Sequence, residues 1–407
     1  MLELRGKYNT AIVYTDIIEE TAVGQIIELC NQEFVKGCKI RIMPDVHAGA
    51  GCVIGFTADL GEMVIPNIVG VDIGCGMLTV ELGKTEIDYQ ALDNLIREKV
   101  PSGKNVHEGR QVRFPDLQTL HCYRNLKDTK RLERSIGTLG GGNHFIEVDR
   151  DDEDNKYLVI HTGSRNLGKQ VAEHYQKMAY DILRGADKLF EEQANLIARY
   201  KAEHRKKEIE SAIKELKKEF KAKWTDVTKD LCYLTGEYRE MYLHDMKICQ
   251  EFATKNRMQI AETILTGLFG KSLSDFSHFE TIHNYIDHET NTVRKGAVSA
   301  RAGEKLLIPI NMRDGSLICI GKGNEDWNCS APHGAGRLFS RGSAKANFSL
   351  EEFEKSMEGI FTTSVGADTL DESPMAYKNM EDIVNNITPT AEIVKRIIPT
   401  YNFKAGE

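Results

Sequence analysis

The chain has 407 residues and a formal net charge of −8; 41% of its residues are hydrophobic, 28% are charged and 34 residues are glycine. This composition is typical of a globular protein with many turns, and the length suits one large domain or two ordinary ones. The negative charge argues against a general affinity for nucleic acid, and no apolar stretch is long enough to span a bilayer.

The cysteines indicate a reducing compartment. There are nine of them, no two form a Cys-x-x-Cys pair, and their spacing is irregular. A disulfide framework or a zinc finger would show an even number or a regular spacing. Residues 1–7 do not resemble a signal peptide, so we expect a cytoplasmic protein with no membrane association.

Short apolar runs separated by glycine-rich turns predict strands in the first hundred residues. A further apolar run predicts a strand that ends beside His161, and more strands are predicted in the last third of the chain. The predicted strands are 39–43, 52–56, 63–65, 76–82, 156–160, 297–300, 305–309 and 316–320.

Residues 169–268 have a different composition, which predicts helices. This stretch contains three glycines and no proline. A narrow apolar stripe at spacings of four and three is formed by Ile209, Ile213, Leu216 and Phe220. We therefore predict one α+β domain over residues 1–407. Its β-rich catalytic body has central sheets around a metal cleft, and residues 169–268 form an inserted helical hairpin.

A local surplus of positive charge precedes a glycine-rich motif. Residues 104–134 contain eight basic side chains and four acidic ones. An ordinary solvated surface can have this composition too. The adjacent glycine-rich run at 140–142 favours a basic patch that attracts phosphate groups.

Five short motifs place a metal-ligand residue beside glycine or at the end of a predicted strand. They are residues 72–76, 140–145, 161–165, 283–285 and 333–337. Asp72 and Cys75 lie three residues apart across a glycine turn, so both side chains can reach one ion. A thiolate can bridge two metals, and two metals suit phosphoryl chemistry. Taken singly, each of these residues is more simply a core side chain or a turn residue.

The motif at 333–337 contains the best candidate nucleophile. His333 lies among small residues, and an imidazole can form a covalent phosphoramidate at neutral pH. The glycines let backbone N–H groups approach an anion, and Arg337 can bind phosphate oxygens. His47 is intermediate, with either a supporting or a substrate-facing role. The histidines that lack such motifs are expected to be structural or exposed: His107, His121, His174, His204, His244, His278 and His288.

Together these motifs resemble the RtcB family of RNA-splicing and RNA-repair ligases. The runs that carry the resemblance are 41–49, 71–77, 141–147, 161–165 and the His333 motif, and they occur in the family's order. The resemblance extends from about residue 41 to residue 404, nearly the whole chain. Five ordered motifs make it highly specific.

The resemblance implies a GTP- and manganese-dependent RNA ligase. Members join an RNA end with a 2′,3′-cyclic phosphate or a 3′-phosphate to an end with a 5′-hydroxyl. It implies that Cys75 and Asp72 are catalytic through two Mn²⁺ ions that Cys75 bridges. It also implies that His333 attacks the α-phosphate of GTP.

The resemblance assigns further residues to the site. The implied metal ligands are Asp72, Cys75, His144, His161 and His283. The implied guanylate contacts, besides His333, are Asn143, Phe145, Glu147, Asn311, Ser316, Gly334, Ala335, Gly336, Tyr377 and Lys404. Arg165 and Arg337 would bind phosphates of the nucleotide or of the RNA.

The chemistry of the substrate agrees with this resemblance. A 3′-phosphate is a poor electrophile because it is doubly charged and its leaving group would be oxide. Transfer of GMP from His333 to this phosphate creates a pyrophosphate linkage, from which a 5′-hydroxyl can displace GMP. A cyclic phosphate must first be hydrolysed, a step that the same metals can catalyse.

One segment departs from the family pattern. At 308–316 the common version has Gly-Ser after the proline, and Asn311 stands where a serine would help to hold a nucleotide phosphate. An amide can still donate a hydrogen bond there, so we expect nucleotide binding to be kept. The chain is also shorter than many members, which leads us to hypothesise a subgroup with a distinct RNA substrate. Equal ligation rates on unrelated nicked RNAs would count against this hypothesis.

Two other functions remain open from the sequence. A metal-dependent phosphohydrolase that opens 2′,3′-cyclic phosphates without ligation would need the metal ligands but not His333, Glu147 or Lys404. A non-catalytic RNA-binding protein or chaperone would not need an intact ligand set, and the acidic charge also argues against such a role. We expect a monomer, and the resemblance implies that an archease-type protein can act as an activator.

Overall fold

The computed structural model describes residues 1–59, 61–220 and 223–405, and it confirms the α+β class. The strands are β1 (Leu2–Arg5), β2 (Thr10–Val13), β3 (Arg41–His47), β4 (Ile54–Asp59), β5 (Gly76–Gly83), β6 (Phe145–Arg150), β7 (Lys156–Thr162), β8 (His278–Ile282), β9 (Asn284–Asp287), β10 (Thr292–Lys295), β11 (Ala297–Ser299), β12 (Lys305–Asn311), β13 (Gly315–Gly321), β14 (Ser330–Pro332), β15 (Phe361–Thr362) and β16 (Ala391–Lys404). The helices are α1 (Glu20–Cys30), α2 (Pro66–Val69), α3 (Tyr89–Lys99), α4 (Thr129–Glu133), α5 (Arg165–Asp181), α6 (Asp187–Ala202), α7 (Ile209–Glu219), α8 (Gly236–Phe269), α9 (Arg341–Asn347), α10 (Leu350–Ser356) and α11 (Met380–Ile387).

Two sheets and a two-stranded ribbon form the body. The larger sheet has the order β12-β13-β16-β6-β7-β5-β8, and β15 pairs with β16 outside this path. The smaller sheet has the order β1-β2-β3-β4-β10-β9, and the ribbon pairs β11 with β14. The 14-residue strand β16 pairs with β13 along its first part and with β6 along its last part. This second pairing sets Lys404 opposite Phe145, the residue that follows His144.

Helix α8 connects the two main hydrophobic cores. Its Tyr242, Met246 and Phe252 lie in the core that packs on the smaller sheet. Further along the helix, Ile260 and Ile264 pack with side chains of β5, β6 and β7. Although α8 has 34 residues, no helix among the described residues combines the length and the apolar character needed to cross a membrane.

The structure confirms most of the predicted strands and corrects one. The predicted strands that overlap observed ones are 39–43 (β3), 52–56 (β4), 76–82 (β5), 156–160 (β7), 297–300 (β11), 305–309 (β12) and 316–320 (β13). The strand predicted at 63–65 is wrong: Val64 makes one isolated bridge with Leu234, and Pro66 starts helix α2. Proline fixes φ at a value that suits the first turn of a helix, and the short apolar run before it did not reveal this.

The region predicted to be helical contains α5 to α8, and its elements differ in burial. Helices α6 and α7 together bury one side chain, Leu189. On α7, Ile213 and Leu216 of the predicted stripe are half-buried. By contrast, α5 buries seven residues and α8 buries thirteen, so both are parts of the core. The division into one domain with an insertion at 169–268 stays a prediction.

Truncation of Ile264 tests the role of α8 in the core. We expect Ile264→Ala to lower the free energy of unfolding by about 2–5 kcal/mol, because it leaves a cavity against the larger sheet. The matched change Ile213→Ala on α7 should cost well under half as much, since Ile213 is only half-buried. Urea unfolding followed by circular dichroism measures both variants. If both variants lost the same free energy of unfolding, the assignment of α8 to the core and of α7 to the periphery would be contradicted.

Candidate active site

Four strands of the larger sheet meet where the predicted metal ligands lie. Strand β5 lies between β7 and β8, and Gly76 pairs with Thr162 on one side and with Ile282 on the other. Strand β6 begins opposite the end of β7, where Phe145 pairs with His161. This register brings together Asp72, Cys75, His144, His161 and His283. Antiparallel pairing thus joins residues that are far apart in the chain.

The side chains of these five residues converge on two positions. The Cys75 sulfur lies 3.5 Å from Nε2 of His144 and 3.4 Å from Nε2 of His161. Nε2 of His144 is 3.0 Å from Oδ2 of Asp72, and the Nε2 atoms of His161 and His283 are 3.4 Å apart. Ligand atoms that share one ion at about 2.1 Å lie roughly 3.0–3.5 Å apart. The spacing therefore fits two ions, one at each group, with Cys75 common to both.

Two of the three ring nitrogens that point away from this cluster are held by backbone carbonyls. Nδ1 of His144 donates to the carbonyl of Leu139 at 3.0 Å, and Nδ1 of His161 donates to the carbonyl of Asn143 at 3.1 Å. These bonds place the proton on Nδ1 and leave the Nε2 lone pair towards Cys75. Nδ1 of His283 has no hydrogen-bond partner among the described residues.

Burial sets the protonation states in the cluster. It raises the pKa of the Cys75 thiol well above its ordinary value, and the charge of Asp72 raises it further. Burial also lowers the pKa of His161 and His283 well below the ordinary value, so both imidazoles are neutral. Neutral imidazole is the ligand form, whereas the thiol needs a nearby cation to ionise. A donor set of thiol, imidazoles and carboxylate fits a borderline divalent transition ion.

Two polar residues of α8 hold the backbone around the cluster. Nη1 of Arg257, which is fully buried, donates at 2.8 Å to the carbonyls of Gly74 and Thr162. Nδ2 of Asn256 donates to the carbonyl of Gly163 at 3.2 Å. The turns on both sides of the cluster are thereby fixed to one helix. Sequence reasoning missed these two residues. The one feature that could have indicated their role is that they are polar residues on a helix face that is otherwise apolar.

Gly163 is required by the position of Asp72. A Cβ atom at residue 163 would lie 2.3 Å from Oδ1 of Asp72. Any side chain there would push the carboxylate away from His144. The glycine of the 161–165 motif therefore serves the ligand geometry.

His333 reaches the cluster from the ribbon strand β14, which it follows directly. Its ring centroid lies 4.9 Å from that of His283. Nδ1 of His333 is 2.6 Å from Oδ2 of Asp45, a buried carboxylate of β3, and the same oxygen accepts the backbone N–H groups of His333 and Gly334. Asp45 thus engages Nδ1 and leaves Nε2 free. The sequence motif that contains His47 also contains Asp45, but the motif alone did not indicate this contact.

A cavity of about 520 Å³ opens beside His333. Its wall includes His161 and His283 from the cluster, and His47. The predicted guanylate contacts that line it are Asn143, Phe145, Glu147, Asn311, Gly334, Ala335, Gly336, Tyr377 and Lys404. This volume lies within the range of sites that bind small organic ligands.

Glu372, which sequence reasoning missed, organises four cavity residues. Nζ of Lys404 lies 2.7 Å from Oε2 of Glu372, and the Tyr377 hydroxyl donates to the same oxygen at 2.5 Å. Arg337 and Arg341 each approach Oε1 to 3.2 Å. Burial by itself would raise the pKa of Glu372, but the charges of Lys404, Arg341 and Arg337 lower it to about 2. One buried carboxylate therefore holds this part of the wall.

Glu147 and Asp149 form a buried acidic pair on β6. They are two residues apart, so both side chains lie on the same face of the strand. Nδ2 of Asn402 donates to Oε2 of Glu147 at 2.5 Å. Burial raises the pKa of Glu147 to about 7, and burial together with the charge of Glu147 raises that of Asp149 well above its ordinary value. Of the two carboxyl groups, only that of Glu147 lines the cavity.

The two arginines predicted to bind phosphate occupy different places. Arg165 does not line the cavity; its Nη2 donates to the carbonyl of Gly103 at 3.0 Å and its Nε to the hydroxyl of Thr138 at 3.1 Å. Arg337 does line the cavity, but its guanidinium is engaged by Glu372. The phosphate-binding roles of both arginines stay predictions.

Two predicted guanylate contacts also differ in position. Ser316 is fully buried in β13 and does not line the cavity. Asn311 lines it, but its amide oxygen accepts the backbone N–H groups of Arg313 and Asp314, and its Nδ2 donates to the Asp314 carboxylate. The amide therefore closes its own turn, and its role towards a nucleotide stays a prediction.

The basic segment 104–134 lies in loops and in α4. Arg110 pairs with Glu133, while Arg131 and Arg134 donate to backbone carbonyls of the same segment. Three of its eight basic side chains are therefore engaged within the segment. The basic patch stays a prediction.

The Glu372 contacts predict an acid-sensitive stability. Because its pKa in the folded protein is about 2 and its ordinary value is 4.5, its contribution is full above pH 4.5 and is lost as the pH falls towards 2. The whole difference corresponds to about 3 kcal/mol of unfolding free energy. Between pH 6 and pH 3, the unfolding free energy should therefore fall less in Glu372→Gln than in the wild type, by about 2 kcal/mol.

The control for this measurement is Glu354→Gln, since Glu354 is exposed on α10. Denaturant titrations at several pH values should give this variant the slope of the wild type. A Glu372→Gln curve parallel to that of the wild type would contradict the assigned contacts.

Comparison with known proteins places these features in a family context. Residues 25–125 and 117–405 match the family model described as tRNA-splicing ligase RtcB. The chain is 29% identical to the RNA-splicing ligase RtcB of Escherichia coli strain K12, over 93% of this chain and 92% of that protein. It is 25% identical to the tRNA-splicing ligase RtcB of Archaeoglobus fulgidus, over 94% of this chain and 91% of that protein. The tRNA-splicing ligase RtcB of Thermococcus kodakarensis is 25% identical over 88% of this chain and 86% of its own length.

Proposed function

Because the chain belongs to the RtcB family, we propose that it is a GTP- and manganese-dependent RNA ligase. Its substrates are an RNA end with a 2′,3′-cyclic phosphate or 3′-phosphate and an RNA end with a 5′-hydroxyl. One observation carries the proposal: His333, with Nδ1 engaged by Asp45, lines a cavity that also contains His161 and His283 of the metal-ligand cluster. The proposed nucleophile, the candidate metal ligands and a cavity large enough for a nucleotide therefore lie next to one another.

His333 is the nucleophile of the first step. Its Nε2 attacks the α-phosphorus of GTP; the new N–P bond forms as the bond to the β-phosphate oxygen breaks, and pyrophosphate leaves. The carboxylate of Asp45 accepts a 2.6 Å hydrogen bond from Nδ1–H and so stabilises the positive charge that develops on the ring. Backbone N–H groups of the glycine-rich run after His333 can approach the phosphate oxygens.

Asp72, Cys75, His144, His161 and His283 would hold the two Mn²⁺ ions. Bound there, the cations would supply positive charge to the phosphates and polarise the reacting phosphorus. Arg257 and Asn256 keep the ligand-bearing turns in place, so the ligands need little rearrangement when a cation binds.

Glu147 recognises the guanine base. With a pKa of about 7, Glu147 can ionise near neutral pH, and its carboxylate can then accept both N1–H and the exocyclic N–H of guanine, whereas adenine has an acceptor at N1 and would be rejected. Asn402 holds Oε2 of Glu147 in place, and burial makes two N–H donors to this carboxylate worth more than in water. Lys404 and Tyr377, both held by Glu372, complete this side of the nucleotide site.

Ligation then proceeds in two displacements. A 3′-phosphate oxygen of the RNA attacks the phosphorus of the His333 adduct, the N–P bond breaks, and the RNA end carries a pyrophosphate-linked guanosine. The 5′-hydroxyl oxygen attacks the RNA phosphorus of that linkage, and GMP leaves. We also propose, from the family resemblance, that an archease-type protein can activate the enzyme, and we take a monomer as the default oligomeric state.

A phosphohydrolase that only opens cyclic phosphates is the less favoured alternative. It would have no use for the His333–Asp45 pair or for the buried network of Lys404, Tyr377 and Glu372. These contacts lie at one cavity together with the cluster, as a nucleotidyl-transfer enzyme requires.

Labelling with GTP tests the proposed nucleophile. The purified protein, incubated with α-labelled GTP and Mn²⁺, should carry an acid-labile covalent label on a denaturing gel. His333→Ala should carry none, because the attacking nitrogen is absent, while the exposed-residue control His278→Ala should label like the wild type. Label in His333→Ala, or none in the wild type even with an activator, would overturn the proposal.

Asp45→Asn tests the positioning of His333. An asparagine can rotate so that its amide faces Nδ1, which removes the charge that stabilises the ring, so the labelling rate should fall about 10²–10⁴-fold. The dissociation constant for GTP should change only a few-fold, since Asp45 does not line the cavity. The control is Asp326→Asn, at an exposed carboxylate. A loss confined to GTP affinity would contradict this role for Asp45.

A further inference from the structure

A second group of metal-ligand side chains lies outside the active site. His121 follows the 3₁₀ turn Pro115–Thr119, and His244 and Asp245 are neighbours on α8. Each offers a ligand atom, and the three atoms lie within 4.8 Å of one another. The two imidazole rings have centroids 4.8 Å apart and planes at 65°. Three potential metal-ligand atoms from two distant parts of the chain therefore lie close together.

Asp245 is fixed in position by protein donors. Its side chain is fully buried, and Oδ1 accepts the backbone N–H of His121 at 2.8 Å. Oδ2 accepts the backbone N–H of Cys122 at 3.0 Å and the hydroxyl of Tyr175 at 2.7 Å. The carboxylate is thus oriented in advance, which reduces the entropy lost when a ligand binds.

The two histidines lie at the surface, over the buried carboxylate of Asp245. Nδ1 of His244 lies 3.0 Å from Oδ1 of Asp245, and 45% of the His244 side chain is exposed. His121 is exposed, and among the described residues no hydrogen bond to its ring nitrogens is found, although its backbone is anchored. Core packing therefore does not account for either ring. An ion that binds Nδ1 of His244 would displace the proton that this nitrogen shares with Oδ1 of Asp245, and the exposed ring of His121 offers a further nitrogen.

We propose that His121, His244 and Asp245 bind one divalent transition-metal ion of the Zn²⁺ type, with water completing its shell. Two imidazoles and one carboxylate favour Zn²⁺, Co²⁺ or Ni²⁺, whereas Mg²⁺ and Ca²⁺ prefer oxygen donors alone. The 3.0 Å between Nδ1 of His244 and Oδ1 of Asp245 is close to the spacing of roughly 3.3 Å between ligands of a tetrahedral zinc ion. The site shares no residue with the Cys75 cluster.

The ion joins the basic segment 104–134 to α8. His121 belongs to the segment, whereas His244 and Asp245 belong to the helix whose Asn256 and Arg257 hold the Cys75 cluster. About twelve residues of helix, roughly 18 Å, separate the two places, so the ion takes no part in the chemistry. Its effect is structural: it restrains a long loop segment against a rigid core helix.

Histidine footprinting of the full-length protein locates the ion even though the active-site cluster also binds metals. Diethylpyrocarbonate modifies exposed imidazoles, and mass spectrometry reads each one separately. Zn²⁺ alone should lower the modification of His121 and His244 at least fivefold and leave the exposed His278 unchanged. Mg²⁺ should protect neither ring. The proposal would be overturned if saturating Zn²⁺ left the extent of modification of both His121 and His244 unchanged.

Stoichiometry provides a second readout. His121→Gln and His244→Gln keep the backbone N–H bonds to Asp245, so the fold should be retained, as a thermal unfolding scan without metal will show. Each variant should bind one Zn²⁺ fewer per chain than the wild type in equilibrium dialysis, and the control His278→Gln should bind the same number. Wild-type stoichiometry in both variants would refute the site.

Discussion

Strand β5 is hydrogen-bonded to β7 on one side and to β8 on the other, and this double pairing sets Cys75 between His161 and His283. The arrangement gathers polar groups that are mostly buried, which is costly unless they find partners. Backbone carbonyls fix two of the imidazoles, and Arg257 and Asn256 fix the turns that carry the ligands. The remaining donor atoms point at one another and are best satisfied by cations. Every other part of the site is arranged around this cluster.

The proposed nucleophile comes from a different part of the fold. His333 follows the ribbon strand β14, and its Nδ1 is bound by Asp45 of the smaller sheet, while the ligand cluster belongs to the larger sheet. The cavity therefore exists only where the two sheets and the ribbon meet. Helix α8 packs in the cores on both sides and so keeps this meeting point rigid. Such rigidity suits a reaction in which a phosphate must lie between a fixed nitrogen and fixed cations.

Buried carboxylates, more than surface lysines, organise the charge of the cavity. The chain is acidic overall, yet Glu372 gathers Lys404, Arg337 and Arg341 at the wall. Pairing with Glu372 keeps these cations in place but also reduces their free charge. Under the proposed function, most of the positive potential that a triphosphate needs would come from cations bound at the Cys75 cluster. Such cations would offset the acidic charge of the chain.

Much of the site could be predicted from the sequence. Glycine-flanked motifs singled out the five proposed ligand residues and His333, and short apolar runs located β5, which directly follows Cys75, and β7, which contains His161 near its end. The partners could not be predicted in this way: Asp45 lies 288 residues from His333, and Glu372 has no motif around it. The apolar run at 63–65 also misled, because Pro66 starts a helix there.

The sequence by itself determined which candidate ligands and nucleophile the chain carries, since residue types and local spacing decide which atoms can take such roles. Only the tertiary structure decided that Asp45 engages His333, that Glu372 holds Lys404, and that Ser316 lies outside the cavity. It also brought together His121 and His244, which the sequence left as ordinary histidines. The physical reason is that such contacts depend on strand register and on how two sheets pack on one helix. Neither is encoded in any short stretch of the chain.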